Sequence, residues 1–190
     1  MAPLKESFDA VQVGAPPPGW QSGSQGTNGH PHWTVTTGPN AVSKPNVLQQ
    51  DGKAVSSWLV QPAFQAESGT VSCKFRIDSG KEDPEAGLIV RFRDGKNYAY
   101  VRANTLESDV IFYRMVDGRK EVVKRVETAV SPATWHKLRI DFAGNGFKVT
   151  YDDKGIMNFT DNKINGVGSV GFWTTADTVA QFDDFEAAGS

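Results

Sequence analysis

Val71-Ser72-Cys73-Lys74-Phe75-Arg76-Ile77 alternates apolar and polar side chains without a break. Successive side chains of a β-strand point to opposite faces, so this spacing predicts a strand with one face on a core and one toward solvent. Working outward, His136, Leu138, Ile140 and Phe142 share one face, opposite Lys137, Arg139 and Asp141. Phe147, Val149 and Tyr151 alternate in the same way with Lys148, Thr150 and Asp152. Asp94-Gly95, Asp117-Gly118, Gly144-Asn145-Gly146 and Asn165-Gly166 fall between such runs and accept the positive φ of tight hairpin turns. Helical periodicity is nearly absent. Roughly a dozen short strands, each with one apolar side, predict an all-β fold: a two-sheet antiparallel sandwich.

At 190 residues the chain suits a single domain spanning residues 1–190. The first 50 residues differ from the rest. Ala15-Pro16-Pro17-Pro18-Gly19-Trp20 and the Gly/Ser/Asn-rich stretch after it predict an irregular loop over residues 15–30, since consecutive prolines cannot donate to a ladder. Ser7-Phe8-Asp9 and Gln181-Phe182-Asp183-Asp184-Phe185 are related motifs at the two ends, which suits closure by pairing of the first and last strands.

The formal charge of −2 argues against a nucleic-acid surface. No run approaches the roughly 18–20 apolar residues of a membrane-spanning helix, and Met1–Glu6 has no apolar run of the signal-peptide kind. A monomer is expected. The single Cys73 excludes an intramolecular disulfide and, alternating with Val71 and Phe75, reads as a buried small apolar residue. No Gly-x-Ser-x-Gly, His-Glu-x-x-His or phosphate-loop pattern occurs. His30-Pro31-His32 offers two nitrogen ligands in a loop, with only His136 left as a third histidine.

The informative segment is a hairpin, Leu88–Arg93 leading through Asp94-Gly95-Lys96-Asn97 into Tyr98–Asn104. A turn centred on Gly95-Lys96 predicts Arg93 opposite Tyr98 and Arg91 opposite Tyr100, with Leu88, Val90, Phe92, Ala99, Val101 and Ala103 on the core side. Arg91, Arg93, Tyr98, Tyr100, Arg102 and Asn104 then share the other face. Aromatic planes beside Arg and Asn groups suit sugars, which present apolar C–H patches next to hydroxyls. Glu107 follows closely, and Trp33 and Trp173 are further ligand-binding candidates. The competing reading is a solvated face whose arginines cover tyrosine rings and pair with acids. Glu107 and Asp109, two apart on a strand, would stand about 6–7 Å apart, a spacing that permits glycoside acid/base chemistry. Asp9, Asp183 and Asp184 lie on the terminal strands expected to pair and offer hard oxygen ligands suited to calcium.

Trp135-His136-Lys137-Leu138-Arg139-Ile140-Asp141-Phe142, Phe147-Lys148-Val149, Gly171-Phe172-Trp173-Thr174 and Phe182-Asp183-Asp184-Phe185 resemble the laminin-G-like branch of concanavalin-like jelly rolls. Gly87–Asp94, with Asn97-Tyr98 and Arg102-Ala103-Asn104, is similar to bacterial 3-keto-disaccharide hydrolase and family 16 glycosidase-like domains. The resemblance covers residues 5–187 and implies a concave sheet that meets carbohydrate, in a secreted or periplasmic protein. It also implies a structural calcium at Asp183, with carbonyls near Asp9 and Gly52 as companions. Family 16 glycosidases carry Glu-x-Asp-x-x-Glu on one concave strand. Here Glu107-Ser108-Asp109 is followed by Phe112 where the second glutamate belongs. These residues favour a lectin-like carbohydrate-binding domain, with a glycoside or keto-sugar hydrolase using Glu107 and Asp109 as one alternative. A structural interaction domain of a cell-envelope protein is another.

Overall fold

The computed structural model describes residues 1–190. The alternating run Val71–Ile77 lies within a strand, Gly69–Ser79, whose Val71, Cys73, Phe75 and Ile77 are all buried. The same pattern recurs along the chain and no helix forms. In chain order the strands are β1 (Leu4–Glu6), β2 (Gln21–Gly23), β3 (Trp33–Thr37), β4 (Asn46–Gln50), β5 (Ala54–Ala66), β6 (Gly69–Ser79), β7 (Glu85–Asp94) and β8 (Asn97–Asn104). They continue as β9 (Asp109–Val116), β10 (Arg119–Glu127), β11 (His136–Ala143), β12 (Gly146–Tyr151), β13 (Lys154–Thr160), β14 (Gly168–Ala176) and β15 (Val179–Gly189).

These strands make two antiparallel sheets packed as a jelly-roll sandwich. Sheet A runs β13-β12-β11-β6-β15-β4-β3, with β1 also paired to β15, and sheet B runs β10-β9-β8-β7-β14-β5-β2. The two ends of the chain pair as their related motifs suggest, with Leu4 opposite Ala187 and Glu6 opposite Phe185. Residues 15–30 are mostly irregular, but Gln21–Gly23 join the edge of sheet B as β2, opposite Trp58–Val60.

The core between the sheets is apolar. Phe172 on β14 sits at its centre, with ring centroids 4.8 Å from Phe182, 4.9 Å from Phe185 and 5.3 Å from Trp20. Burying a ring of this size contributes about 1.5–3 kcal/mol, and each well-placed aromatic pair roughly 0.5–1.5 kcal/mol more. Trp33 belongs to this core at 3% exposure, tilted against Phe172 and Phe182, so it does not serve as the ligand-binding residue for which it is a candidate in the sequence.

Candidate functional site on the outer face of sheet B

The β7–β8 hairpin closes through Gly95-Lys96, with Asp94 opposite Asn97. Its register then departs from simple alternation. Val90 pairs with Ala99 and Asp94 with Asn97, so Arg91, Phe92 and Arg93 together face the single residue Tyr98. Arg91 takes a positive φ of 52° in this bulge. A bulge re-aims the side chains that follow it, and two expected assignments change places. Phe92 moves to the outer face, against Trp58 at 4.7 Å and Tyr98 at 5.4 Å. Arg91 turns inward and is fully buried over the rings of Phe142 and Phe147. Its guanidinium donates to the carbonyls of Glu67, Ile164 and Gly144, which staples three connections together. Burial lowers its pKa, opposed by Glu67. Arg91 is therefore structural, and Arg93 is exposed at the hairpin tip. Ile89, not Arg91, lies opposite Tyr100.

Beyond the bulge the expected face is assembled. Tyr98, Tyr100, Arg102 and Asn104 alternate outward along β8, opposite Met115, Tyr113, Ile111 and Asp109 of β9. One half of this face is aromatic. Trp173 stacks on Tyr100 at 4.4 Å, and Tyr100 stacks on Tyr113 at 5.2 Å. The side chain of Trp58 lies close to Gly23 and Gly95, so it crosses over Phe92 from the β5 side. Gln25 crosses farther. Its backbone N–H donates to Val55 at 2.9 Å, and its side chain donates to the Gly118 carbonyl in the β9–β10 turn at 3.2 Å. The aromatic half is thereby closed over and forms a second, small core. The hydroxyls of Tyr98 and Tyr100 and the indole N–H of Trp173 are buried there without a hydrogen-bond partner. Burial pushes the Tyr98 phenol up to about 12, with Trp173 and Ser56 near enough to offset part of this, and it raises Tyr100 further.

The other half is charged. Arg102, 4% exposed, stands between Glu85 (5%) and Asp109 (2%). Its Nε lies 3.0 Å from Glu85, and its Nη1 donates to Asp109. Asp109 also accepts from Arg125 at 2.7 Å, and Asn104 donates to Glu85 at 3.0 Å. Tyr113 lies beneath two cations, Arg102 at 5.5 Å and Lys120 at 5.0 Å from its ring centroid. Between Glu85 and Ile89, Gly87 is required by the close approach of β8, since a Cβ there would meet the Val101 carbonyl. Burial raises the Glu85 pKa, with Arg102 and Asn104 pulling the other way. Burial works against the proton on Arg102, but Glu85 and Asp109 outweigh it and the net direction is up. Toward solvent the cluster is rimmed by Arg125, Lys120 and the exposed Val122 of β10, and by the turn bearing Glu107.

Glu107 and Asp109 do not form a strand pair. Glu107 sits on an exposed turn, its N–H held by the Asn104 side chain, and Ser108 takes a positive φ of 54° before β9 begins. The alternation that would align the two carboxylates breaks at that turn. The residues that the hairpin reading missed are Glu85, Tyr113, Lys120 and Arg125. Glu85 was within reach, because the parity that puts Ile89 outward carries back through Gly87 to Glu85.

The calcium set also comes apart. Asp183 is fully buried and accepts from the Ser43 N–H, the Ser43 hydroxyl and the Asp184 N–H. Burial raises its pKa against these donors. Asp9 accepts from the Asn46 N–H at 2.8 Å. Gly52 packs against the His30 carbonyl. Because Leu48 pairs with Phe182, Gly52 lies about five strand residues, roughly 16 Å, from the level of Asp183. Asp9, Gly52 and Asp183 therefore do not fit one ion as a set, and no group of three or more His, Cys, Asp or Glu side chains is placed to hold a metal. A cleft of about 480 Å³ opens on the outer side of sheet A, where β15 bulges beside β6. Two of its lysines are already paired, Lys5 with Glu186 and Lys137 with Asp153.

No protein-family model and no curated protein matches the chain. Solved structures do. A carbohydrate binding module, CBM66 from Bacillus subtilis, superposes with a TM-score of 0.70 at 18% identity, over 87% of this chain and 98% of the module. A Bacillus licheniformis β-glucanase gives 0.65 at 13% identity, over 100% and 99% of the two chains. The Caenorhabditis elegans galectin LEC-6 gives 0.51 at 10% identity, over 65% and 84%. The fold is a concanavalin-like jelly roll.

Proposed function

We propose that this chain is a carbohydrate-recognition domain whose site is the charged half of the outer face of sheet B. The observation that carries the reading is Arg102, buried between two carboxylates on a face that no second sheet covers, with its Nε 3.0 Å from Glu85 and its Nη1 on Asp109. Taking such ions out of water costs several kcal/mol each, and a sheet face can be covered more cheaply by apolar residues. A guanidinium flanked by carboxylates offers donors and acceptors side by side, which matches neighbouring sugar hydroxyls. The shared fold with a carbohydrate binding module, a galectin and a β-glucanase supports the same reading. Binding is favoured over hydrolysis because Asp109 is held by two guanidiniums and Glu107 stands apart from it on the turn.

The test is a broad glycan array probed with the full chain, followed by calorimetry on the best ligand. Arg125→Ala and Lys120→Ala change exposed side chains, so the fold should survive. Together they should weaken binding about tenfold or more, the worth of one or two polar contacts. An array without binding, or an affinity indifferent to both changes, would overturn the reading.

A further inference from the structure

Three polar atoms are buried together in the aromatic half of the outer face: the hydroxyls of Tyr98 and Tyr100 and the indole N–H of Trp173. None has a partner at hydrogen-bond geometry, although Trp173 and Ser56 lie near the Tyr98 hydroxyl. Each hydroxyl can donate once and accept twice, and the indole donates once. Buried groups without partners destabilise a fold, and an occupant bearing hydroxyls of its own would satisfy all three. The covered half also runs straight into the charged half. Tyr100 stacks on Tyr113, whose hydroxyl accepts from Arg102 Nη2 at 3.3 Å. Tyr100 and Arg102 are two residues apart on β8, a step of about 6–7 Å and so on the scale of one sugar ring.

The cover over these atoms is thin. Trp58 stands directly opposite Trp173 in the β14–β5 pair, and its half-buried indole reaches over β14 to Phe92 on β7. A Cβ on Gly23 would collide with that indole, so the ring is pressed against β2. Two hydrogen bonds of Gln25 tie residues 24–28 down, one to the Val55 carbonyl at 2.9 Å and one to the Gly118 carbonyl at 3.2 Å. The second is the tie that crosses the face, and it is exposed, so water can replace it at little cost. Gly26 takes a φ of 76° beside it, with open space around. Segments held by a few exposed hydrogen bonds are the ones that open locally while the rest of a fold stays closed.

We propose that the aromatic half is a second, gated subsite, which admits the next unit of a glycan whose first unit is held at Arg102. Release of Gln25 from Gly118 frees residues 24–28 and lets the Trp58 indole turn away from Phe92. Hydroxyls of the incoming unit then pair with the Tyr98 and Tyr100 hydroxyls and with the Trp173 N–H. Contact is made through these polar edges, because Tyr100 lies stacked between Trp173 and Tyr113 and has no free ring face. The domain therefore selects a chain over a single sugar. The identity of the occupant rests on the function proposed above; the opening of the cover does not.

The experiment measures solvent exchange of the tryptophan indole N–H groups by NMR in the full, nitrogen-labelled chain, for the wild type and Gln25→Ala. Calorimetry alongside compares the one-, two- and three-unit fragments of the glycan that ranks first on the array. Gln25 is exposed, so the variant should fold. Exchange at Trp173 should quicken about threefold to tenfold, the share of one hydrogen bond. Affinity for the two- and three-unit fragments should rise by a similar factor, while affinity for one unit stays as it was. Gly23→Ala, which puts a methyl group against the Trp58 indole, should act in the same direction. In the wild type, the two-unit fragment should shift Trp173 Nε1–H and the single unit should not. Equal exchange at Trp173 in wild type and Gln25→Ala would overturn the gate. A two-unit fragment that binds no tighter than one unit, moving Arg102 Nε–H but not Trp173, would overturn the second subsite and leave the sugar reading standing. Fragments that bind nowhere would overturn both.

Discussion

The two faces of sheet B are equally dry and differently built. On the inner face Leu88, Val90, Val101, Phe112 and Phe172 are buried because sheet A lies against them. On the outer face Tyr98, Tyr100, Arg102 and Trp173 are buried by one another, by Trp58 and by the crossing of Gln25 to Gly118. Three buried side-chain atoms left without a partner are on that outer face: the hydroxyls of Tyr98 and Tyr100 and Trp173 Nε1. A core that only needed to exclude water would use aliphatic residues there, since a stranded polar group costs about 1–3 kcal/mol. The inner face holds the fold together, and the outer face holds polar groups ready under a thin cover.

Substitutions can break this comparison at either side. Phe172→Ala should cost the most, about 3–5 kcal/mol in chemical denaturation, because it empties the centre of the inner core. A loss under about 1 kcal/mol would mean that the inner core is not what holds the sheets. Arg102→Met should cost about 3 kcal/mol at neutral pH by leaving Glu85 and Asp109 buried beside an apolar chain. Part of that loss should return on acidification, as the acids protonate; a loss independent of pH would point to packing instead. Tyr98→Phe removes a hydroxyl with no partner at hydrogen-bond geometry, though Trp173 and Ser56 lie near it, so stability should hold or rise by up to about 1 kcal/mol. A clear destabilisation would show that the hydroxyl has a partner after all.

The smallest effect concerns Glu85. Its pKa is raised, chiefly by burial, so the folded state holds the proton more tightly than the unfolded chain does. Its contribution is complete below about pH 4, where the unfolded chain is protonated too, and fades as pH rises through the folded value. Glu85→Gln, neutral throughout, should therefore show a flatter decline of the denaturation midpoint from about pH 4 to neutrality. Parallel curves for variant and wild type would contradict the assignment. Asp183, raised in the same direction, leaves some slope in both.

Much of this organisation is legible in the sequence. Period-two runs such as Val71–Ile77 and His136–Phe142 mark strands and their inner faces, and the paired terminal motifs announce closure. Alternation also places Tyr98, Tyr100, Arg102 and Asn104 on one face correctly. It fails at Arg91–Arg93, because a bulge adds residues without any Gly or Pro to mark it, and Arg91 and Phe92 exchange faces. It fails again at Glu107, where a turn interrupts a run that looks continuous. Trp33 is a ligand-binding candidate in the sequence, beside a Gly-rich loop, yet Phe172 and Phe182 hold its indole in the core. Contacts made by distant segments, such as Gln25 over the aromatic half, leave no local trace.

The most direct test of the proposed sugar site follows the side-chain N–H signals of arginine and tryptophan in NMR during titration with the glycan that binds best. Arg102 Nε–H and Arg125 Nε–H should shift together and saturably, with smaller changes at Trp173 Nε1–H. Shifts confined to the outer side of sheet A, around Lys74 and Lys137, or no shift at Arg102, would contradict the placement of the site.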